Sequence, residues 1–257
     1  MESVSILGMR VDATTYHDAV SRVVKWARRH ESRYVSVATV NNVMQAYDCP
    51  DFARTMADAD LVTCDGMPLV WGARLLGVPH ATRVYGPDLT PLILGAAERE
   101  GLAVAFYGGT PDALGRLLAV VEARFPRLTV AYALSPPFRP PTAGENRRTA
   151  GDINASGAGI VLVGLSTPKQ ERWMAAQKGQ LAAPMIGVGA AFDFLAGMKP
   201  QAPRWMMRIG MEWLFRLITE PRRLGKRYLL QNPRFAALFV LQLAGLKKFR
   251  GAPALPA

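Results

Sequence analysis

Two cysteines, Cys49 and Cys64, are all that 257 residues contain. That excludes a disulfide framework and any cysteine-based metal spacing, and it suits a reducing, cytoplasmic setting. Histidine is equally sparse. His17, His30 and His80 are scattered among ordinary charges and form no ligand set. No Asp-x-Asp pair stands at the end of a strand-like segment, which argues against a metal-held diphosphate. The "DADL" run at 58–61 precedes its strand and so lies at the wrong edge. No apolar run reaches the roughly 18 residues of a spanning helix. The first residues, "MESVSILGMRVDATTY", lack a basic segment followed by an apolar block, so no signal peptide is expected. Acidic residues are scarce at one end only. Residues 196–257 hold 12 Lys/Arg against 2 Asp/Glu, whereas residues 1–195 hold 19 against 18. Almost the whole net charge of +11 therefore sits in the last quarter. Such asymmetry calls for an anionic partner: nucleic acid, acidic lipid or a phosphorylated ligand.

What is present is alternation. "SVSILGMRVD" reads as a hairpin or edge strand. A helix follows over "TYHDAVSRVVKWARRH", with Ala19, Val20, Val23, Val24 and Ala27 at helical spacing. Strand-like "YVSVATVN", "DLVTCDG", "AVAFYGG", "LTVAYAL", "GIVLVG" and "PMIGVG" then alternate with helical segments. Thr110-Pro111 is a cap followed by a first-turn proline, and Gly101 is a C-cap. The pattern predicts an α/β fold: a mostly parallel, Rossmann-like sheet with helices on both faces. It divides the chain into an α/β core over 1–195 and a basic, amphipathic helical appendage over 196–257. The Pro-rich "PPFRPPTAGENRR" is expected to be the most mobile loop.

In such a sheet, ligands bind beyond the carboxyl ends of the strands. Those ends carry Thr39 and Asn41, then Asp65-Gly66, then Gly108-Gly109, then the Ser166–Pro168 loop with Lys169 and Gln170. Asp65 is either a turn residue or a base in the cleft. Gly108 and Gly109 either offer backbone N–H groups to an anion or simply make a turn. Lys169 could meet a phosphate and Gln170 a sugar or base; the alternative is a solvated first helical turn. In the tail, Met206, Ile209, Trp213 and Leu217 recur at three and four, so they predict one continuous stripe with Arg204, Arg208 and Arg216 off it. Basic helices rich in Trp and Phe suit an anionic membrane interface. A pair of core-packing helices is the alternative. "FAALFVLQLAGL" is too short to span and should lie flat or pack. The arginines accompany bulky aliphatics rather than a polar face with stacking aromatics, so nucleic acid is not the expected partner.

Several segments carry a resemblance. They are "TVNNVMQ" (39–45), "ADLVTCDGMPLVW" (59–71), "RVYGPDL" (83–89), "YGGTPD" (107–112), "GLSTPKQERWM" (164–174), "GVGAAFDFLAG" (187–197) and "APRWMMRIGMEWLFRLITEPRRLGKRYL" (202–229). In these the chain resembles the WecG/TagA/CpsF glycosyltransferases, family 26 of the sugar-nucleotide-dependent transferases. One departure is Gln201, where an arginine is common before Ala-Pro. The resemblance implies a metal-independent, inverting hexosyltransferase that needs no cofactor. It would move a sugar from a UDP-sugar to a polyprenyl-diphosphate-linked sugar at the cytoplasmic membrane face, in teichoic acid, common antigen or exopolysaccharide assembly. N-acetylmannosamine, its uronic acid and glucose are all open as the donor sugar. The appendage would touch both membrane and diphosphate. Asp65 matches the proposed general base, Thr39 and Asn41 the residues near the sugar, and Gln170 a polar cleft residue. Arg216, Arg222, Arg223, Arg227 and, from the core, Arg83 are candidates to stabilise the leaving diphosphate. Asp193 would hold the nucleoside. Assembly with further copies of the chain stays open. The competing reading is a membrane-surface scaffold that binds nucleotide-sugars without chemistry.

Overall fold

The computed structural model describes residues 2–249 and 251. It opens on an antiparallel hairpin, β1 (Ser3–Ile6) and β2 (Met9–Asp12), a separate two-stranded sheet whose Ile6, Met9 and Val11 pack into the core. Next come α1 (Tyr16–Arg28), β3 (Tyr34–Ala38), α2 (Val40–Asp48), α3 (Pro50–Asp58), β4 (Leu61–Cys64), α4 (Met67–Leu75) and α5 (Gly86–Glu100). The core continues with β5 (Val104–Gly108), α6 (Pro111–Arg124), β6 (Val130–Leu134), α7 (Ala143–Ala155), β7 (Ile160–Gly164), α8 (Lys169–Gln177), β8 (Met185–Gly187) and α9 (Ala191–Leu195). Three helices form the tail: α10 (Arg204–Arg208), α11 (Glu212–Thr219) and α12 (Pro221–Leu243).

Six strands make one parallel sheet in the order β4-β3-β8-β7-β5-β6, as the alternation predicts. Successive side chains on a strand point to opposite faces. Tyr34, Val62, Ala105, Tyr107, Val161, Val163 and Met185 therefore join one core with α2, α3 and α8. Val35, Val37, Leu61, Phe106, Leu162 and Ile186 join a second core with α1, α5, α6 and α9. Burial on both faces is why β7 reads as unbroken "IVLV". The helix after β3 thus packs on one face, and the helix after the adjacent β8 on the other. A crevice opens between their carboxyl ends, where such sheets take ligands.

Two expectations are corrected. The segment from Pro136 is not a loop throughout. Thr142 caps α7 and Glu145 answers in a capping box, so its second half is helical. The spacing Thr142-x-x-Glu145 carried that signal. Nor is the tail stripe continuous. Gly210, at φ +73°, breaks it between Ile209 and Trp213. A Cβ on Gly210 would come 2.5 Å from Trp71 Cη2, so the close approach to α4 also requires glycine.

The tail is packed on the core rather than free of it. Leu224, Phe235 and Phe239 are buried, the two phenylalanines stacking at 5.8 Å within the first core. Arg234 pairs with Asp48 at 2.6 Å and Arg204 with Asp88 at 2.7 Å. "FAALFVLQL" is thus the packed end of α12. Among the described residues, no helix is long and apolar enough to cross a membrane. Trp205, Ile209, Ile218, Leu229 and Leu230 remain more than half exposed.

Candidate active site

One cavity lies over the carboxyl ends of β3, β4 and β8, with tail helices as its far wall. Its first wall begins at Thr39, the N-cap of α2. The Thr39 hydroxyl accepts from the Asn41 N–H (3.2 Å), and Asn42 Oδ1 accepts from the Thr39 N–H (3.0 Å). Thr39, Asn41 and Asn42 are thereby held at the strand end by helix-capping geometry. One strand over, Asp65 follows β4, and its N–H continues the ladder to Ala38 O at 2.9 Å. Gly66 then caps α4, with Pro68 inside the first turn. The chain turns sharply there, but its carboxylate faces the cavity.

Arg83 governs that carboxylate. The Val84 N–H donates to Cys64 O at 2.8 Å, which lays residues 82–85 alongside β4. Arg83 Nε donates to Asp65 O, and Nη2 reaches both Asp65 Oδ1 (3.3 Å) and the carboxylate of Glu212 on α11. Arg83, Asp65 and Glu212 are each under a fifth exposed. Burial pushes the Asp65 carboxyl up to about 7; Arg83 and Arg216 pull it down, and the Glu212 charge adds to the rise. A carboxylate that titrates near neutrality in a cleft is suited to proton transfer.

The floor is a buried polar network. Glu171, fully buried, accepts from Asn42 Nδ2 (2.9 Å), Thr167 Oγ1 (2.9 Å) and Gln170 Nε2 (3.1 Å). Burial raises its pKa and these donors oppose the rise. The network fixes Gln170, whose Oε1 has no hydrogen-bond partner within the protein. Gln170 and Glu171 are therefore not a solvated helical turn, as their composition suggested.

The far wall is cationic. Arg216 on α11 and Arg223 and Arg227 on α12 line the cavity with Tyr228 and Gln231. Arg216 lies 5.6 Å from the Phe194 ring. The buried Arg216 Nε, Arg227 Nε and Gln231 Oε1 have no hydrogen-bond partner within the protein. Lining the cavity, these groups are available to hydrogen-bond a polar ligand. Among the described residues, no three His, Cys, Asp or Glu side chains gather in a metal-binding group.

Eight of the residues singled out from the sequence line this cavity: Thr39, Asn41, Asp65, Arg83, Gln170, Arg216, Arg223 and Arg227. Five do not. Gly108 ends β5 and Gly109 follows it, with β8 and β7 lying between β5 and β3, and both pack against other groups. A Cβ on Gly108 would lie 2.6 Å from the Gly164 backbone, and Gly109 faces the Phe192 ring. The exposed Lys169 directs its ammonium over the Phe138 ring at 4.0 Å. Asp193 pairs with Lys199 at 2.6 Å, and Arg222 is exposed on α12. Glu212, Tyr228, Gln231 and Glu171 escaped the sequence reading. Glu212 was legible in part, since it stands four residues before Arg216 on one helical face.

The profile described as "Glycosyl transferase WecG/TagA/CpsF family" matches residues 4–249 of the chain. Over 208 residues, 80% of this chain and 78% of the relative, the sequence is 26% identical to a Bacillus spizizenii protein. That relative is named N-acetylglucosaminyldiphosphoundecaprenol N-acetyl-beta-D-mannosaminyltransferase.

Proposed function

The chain belongs to the WecG/TagA/CpsF glycosyltransferase family. From that membership we propose that it transfers N-acetylmannosamine, or a related hexose, from a UDP-sugar to N-acetylglucosamine held on polyprenyl diphosphate, with inversion at the anomeric carbon. The transferred N-acetylmannosaminyl group and the diphosphate-linked N-acetylglucosamine acceptor follow the name of the relative; the UDP carrier and the inversion are part of the proposal. The observation that carries the reading is the opposition, across one cavity, of a carboxyl poised near 7 and guanidinium groups with unmatched buried N–H.

In this mechanism ionised Asp65 takes the proton of the acceptor hydroxyl as its oxygen attacks C1. The new C1–O bond forms on the face opposite the leaving group. The C1–O bond to phosphate breaks, and UDP departs with the electron pair. Negative charge grows on the diphosphate, and Arg216, Arg223 and Arg227 are disposed to stabilise it without a divalent cation. Thr39, Asn41 and Gln170 orient the sugar. Trp205, Ile209 and Ile218, exposed on a tail whose sequence holds most of the net positive charge, seat the protein peripherally on an anionic membrane where the lipid acceptor lies.

The test is UDP release in anionic vesicles with and without polyprenyl-diphosphate N-acetylglucosamine. Release should require both donor and acceptor; donor hydrolysis indifferent to acceptor contradicts the reading. In the same assay, Trp205→Ser with Ile218→Ser should raise the vesicle concentration for half-maximal rate by roughly tenfold or more, as expected from losing two large interfacial side chains. An unchanged vesicle dependence would remove these side chains from membrane contact.

A further inference from the structure

Among the described residues, Glu212 is the tail carboxylate in the cavity lining, and its ion-pair partner is Arg83, the arginine that also contacts Asp65. Two independent contacts fix it there. Gly210 turns the chain between α10 and α11, against Trp71 and 3.3 Å (from its would-be Cβ) from Met67 Cβ. Both residues belong to α4, the helix that starts directly behind Asp65-Gly66. Two residues later Glu212 opens α11 and takes Arg83 Nη2, the same nitrogen that contacts Asp65 Oδ1. Arg216 follows one helical turn on and enters the same cavity. The guanidinium is therefore shared by a core carboxylate and a tail carboxylate.

We propose that Glu212 is a positioning residue for the transfer: from α11 it clamps Arg83 against Asp65, so that the base has its working environment only when the tail is seated. The inference rests on the assignment of Asp65 as base. Its logic is electrostatic. Alone with Asp65, Arg83 would stabilise the ionised carboxylate fully and leave a weak base. With Glu212 taking part of the guanidinium and adding its own negative charge, Asp65 holds a proton more tightly and accepts one more readily. The other titratable groups facing Asp65 are Arg83 and Tyr85 beside β4, Arg216 on α11, Tyr16 on α1 and Cys64 on β4. Of these, Tyr16, Cys64 and Tyr85 are themselves pushed up by burial and stay neutral around pH 7. Glu212 is thus the negative charge that sets the balance.

The experiment follows the Asp65 side-chain carboxyl by carbon-13 NMR against pH in the full chain, and kcat/KM against pH in parallel. The native protein should titrate near 7. Glu212→Gln should move the midpoint down by roughly one pH unit or more, the effect of removing an adjacent like charge. The acid limb of kcat/KM should move with it, and the plateau kcat should fall. Glu212→Asp keeps the charge but draws it back one methylene. It should give a smaller downward step, and it is the variant to read where Glu212→Gln does not fold. A midpoint that stays at the native value in both variants overturns the proposal, because a merely structural Glu212 would change stability and not the base. Failure of the transfer reading would show differently, as no acceptor-dependent UDP release from the native protein at any pH.

Discussion

Asp65→Asn is expected to lower kcat by roughly 100- to 10,000-fold, the usual contribution of a positioned general base. The asparagine is isosteric, and its Oδ1 can still accept from Arg83, so the fold and UDP affinity should survive. The pH profile separates this from a general loss. In the native protein Asp65 must be ionised to act. Its carboxyl titrates near 7, so kcat/KM should rise with pH through an acid limb there. The limb should be absent in Asp65→Asn. Stability runs the opposite way. The unfolded chain releases this proton near the ordinary carboxylate value, about 4, and the folded chain near 7. The folded state therefore binds more protons in that window, and stability contributed by protonated Asp65 is lost as pH rises from about 4 to 7. The native protein should be less stable at pH 8 than at pH 5 by a margin that shrinks in Asp65→Asn. Chemical denaturation at the two pH values measures this. Full activity in Asp65→Asn would remove Asp65 from the base role.

Arg216→Met should cost roughly 100- to 1,000-fold in kcat, the scale of removing one preorganised donor from a developing negative charge. Methionine keeps an unbranched apolar chain and removes the guanidinium that lies over Phe194, so the loss reads chiefly the charged head. A second readout carries a sign. Arg216 pulls the Asp65 carboxyl down, so its removal should move the acid limb of kcat/KM up. Glu212→Gln should move it down. Opposite shifts from two residues one helical turn apart on α11 are hard to obtain from general disruption. A small kcat loss with an unmoved limb would assign the leaving-group role to Arg223 or Arg227 instead.

Much of the fold was legible because it rests on local rules. Unbroken apolar runs such as "IVLV" are strands buried on both faces, and Thr110-Pro111 is a helix start with its own chemistry. Asp65 was legible as soon as the alternation implied a parallel sheet, since that places a strand-end carboxylate at the ligand edge. Glu171 was not. "KQER" is a solvated turn by composition, and only the approach of Asn42 and Thr167, distant in sequence, makes Glu171 a buried acceptor. Gly108-Gly109 failed in the other direction. Their glycines serve the contact with Gly164 and Phe192, and strand order, which no local pattern states, moves β5 away from the cleft. The tail stripe ran through Gly210 on paper because helical spacing cannot see Trp71 on the core.

The central claim is that this cavity performs an inverting transfer between a UDP-sugar and a lipid-linked sugar. The anomeric configuration of the product, read by NMR after enzymatic transfer from α-linked UDP-N-acetylmannosamine to polyprenyl-diphosphate N-acetylglucosamine, tests it most directly. The account predicts a β-linked N-acetylmannosaminyl product, formed at the native rate only when Asp65 is intact. An α-linked product, or no lipid-linked disaccharide while UDP is bound, would contradict it.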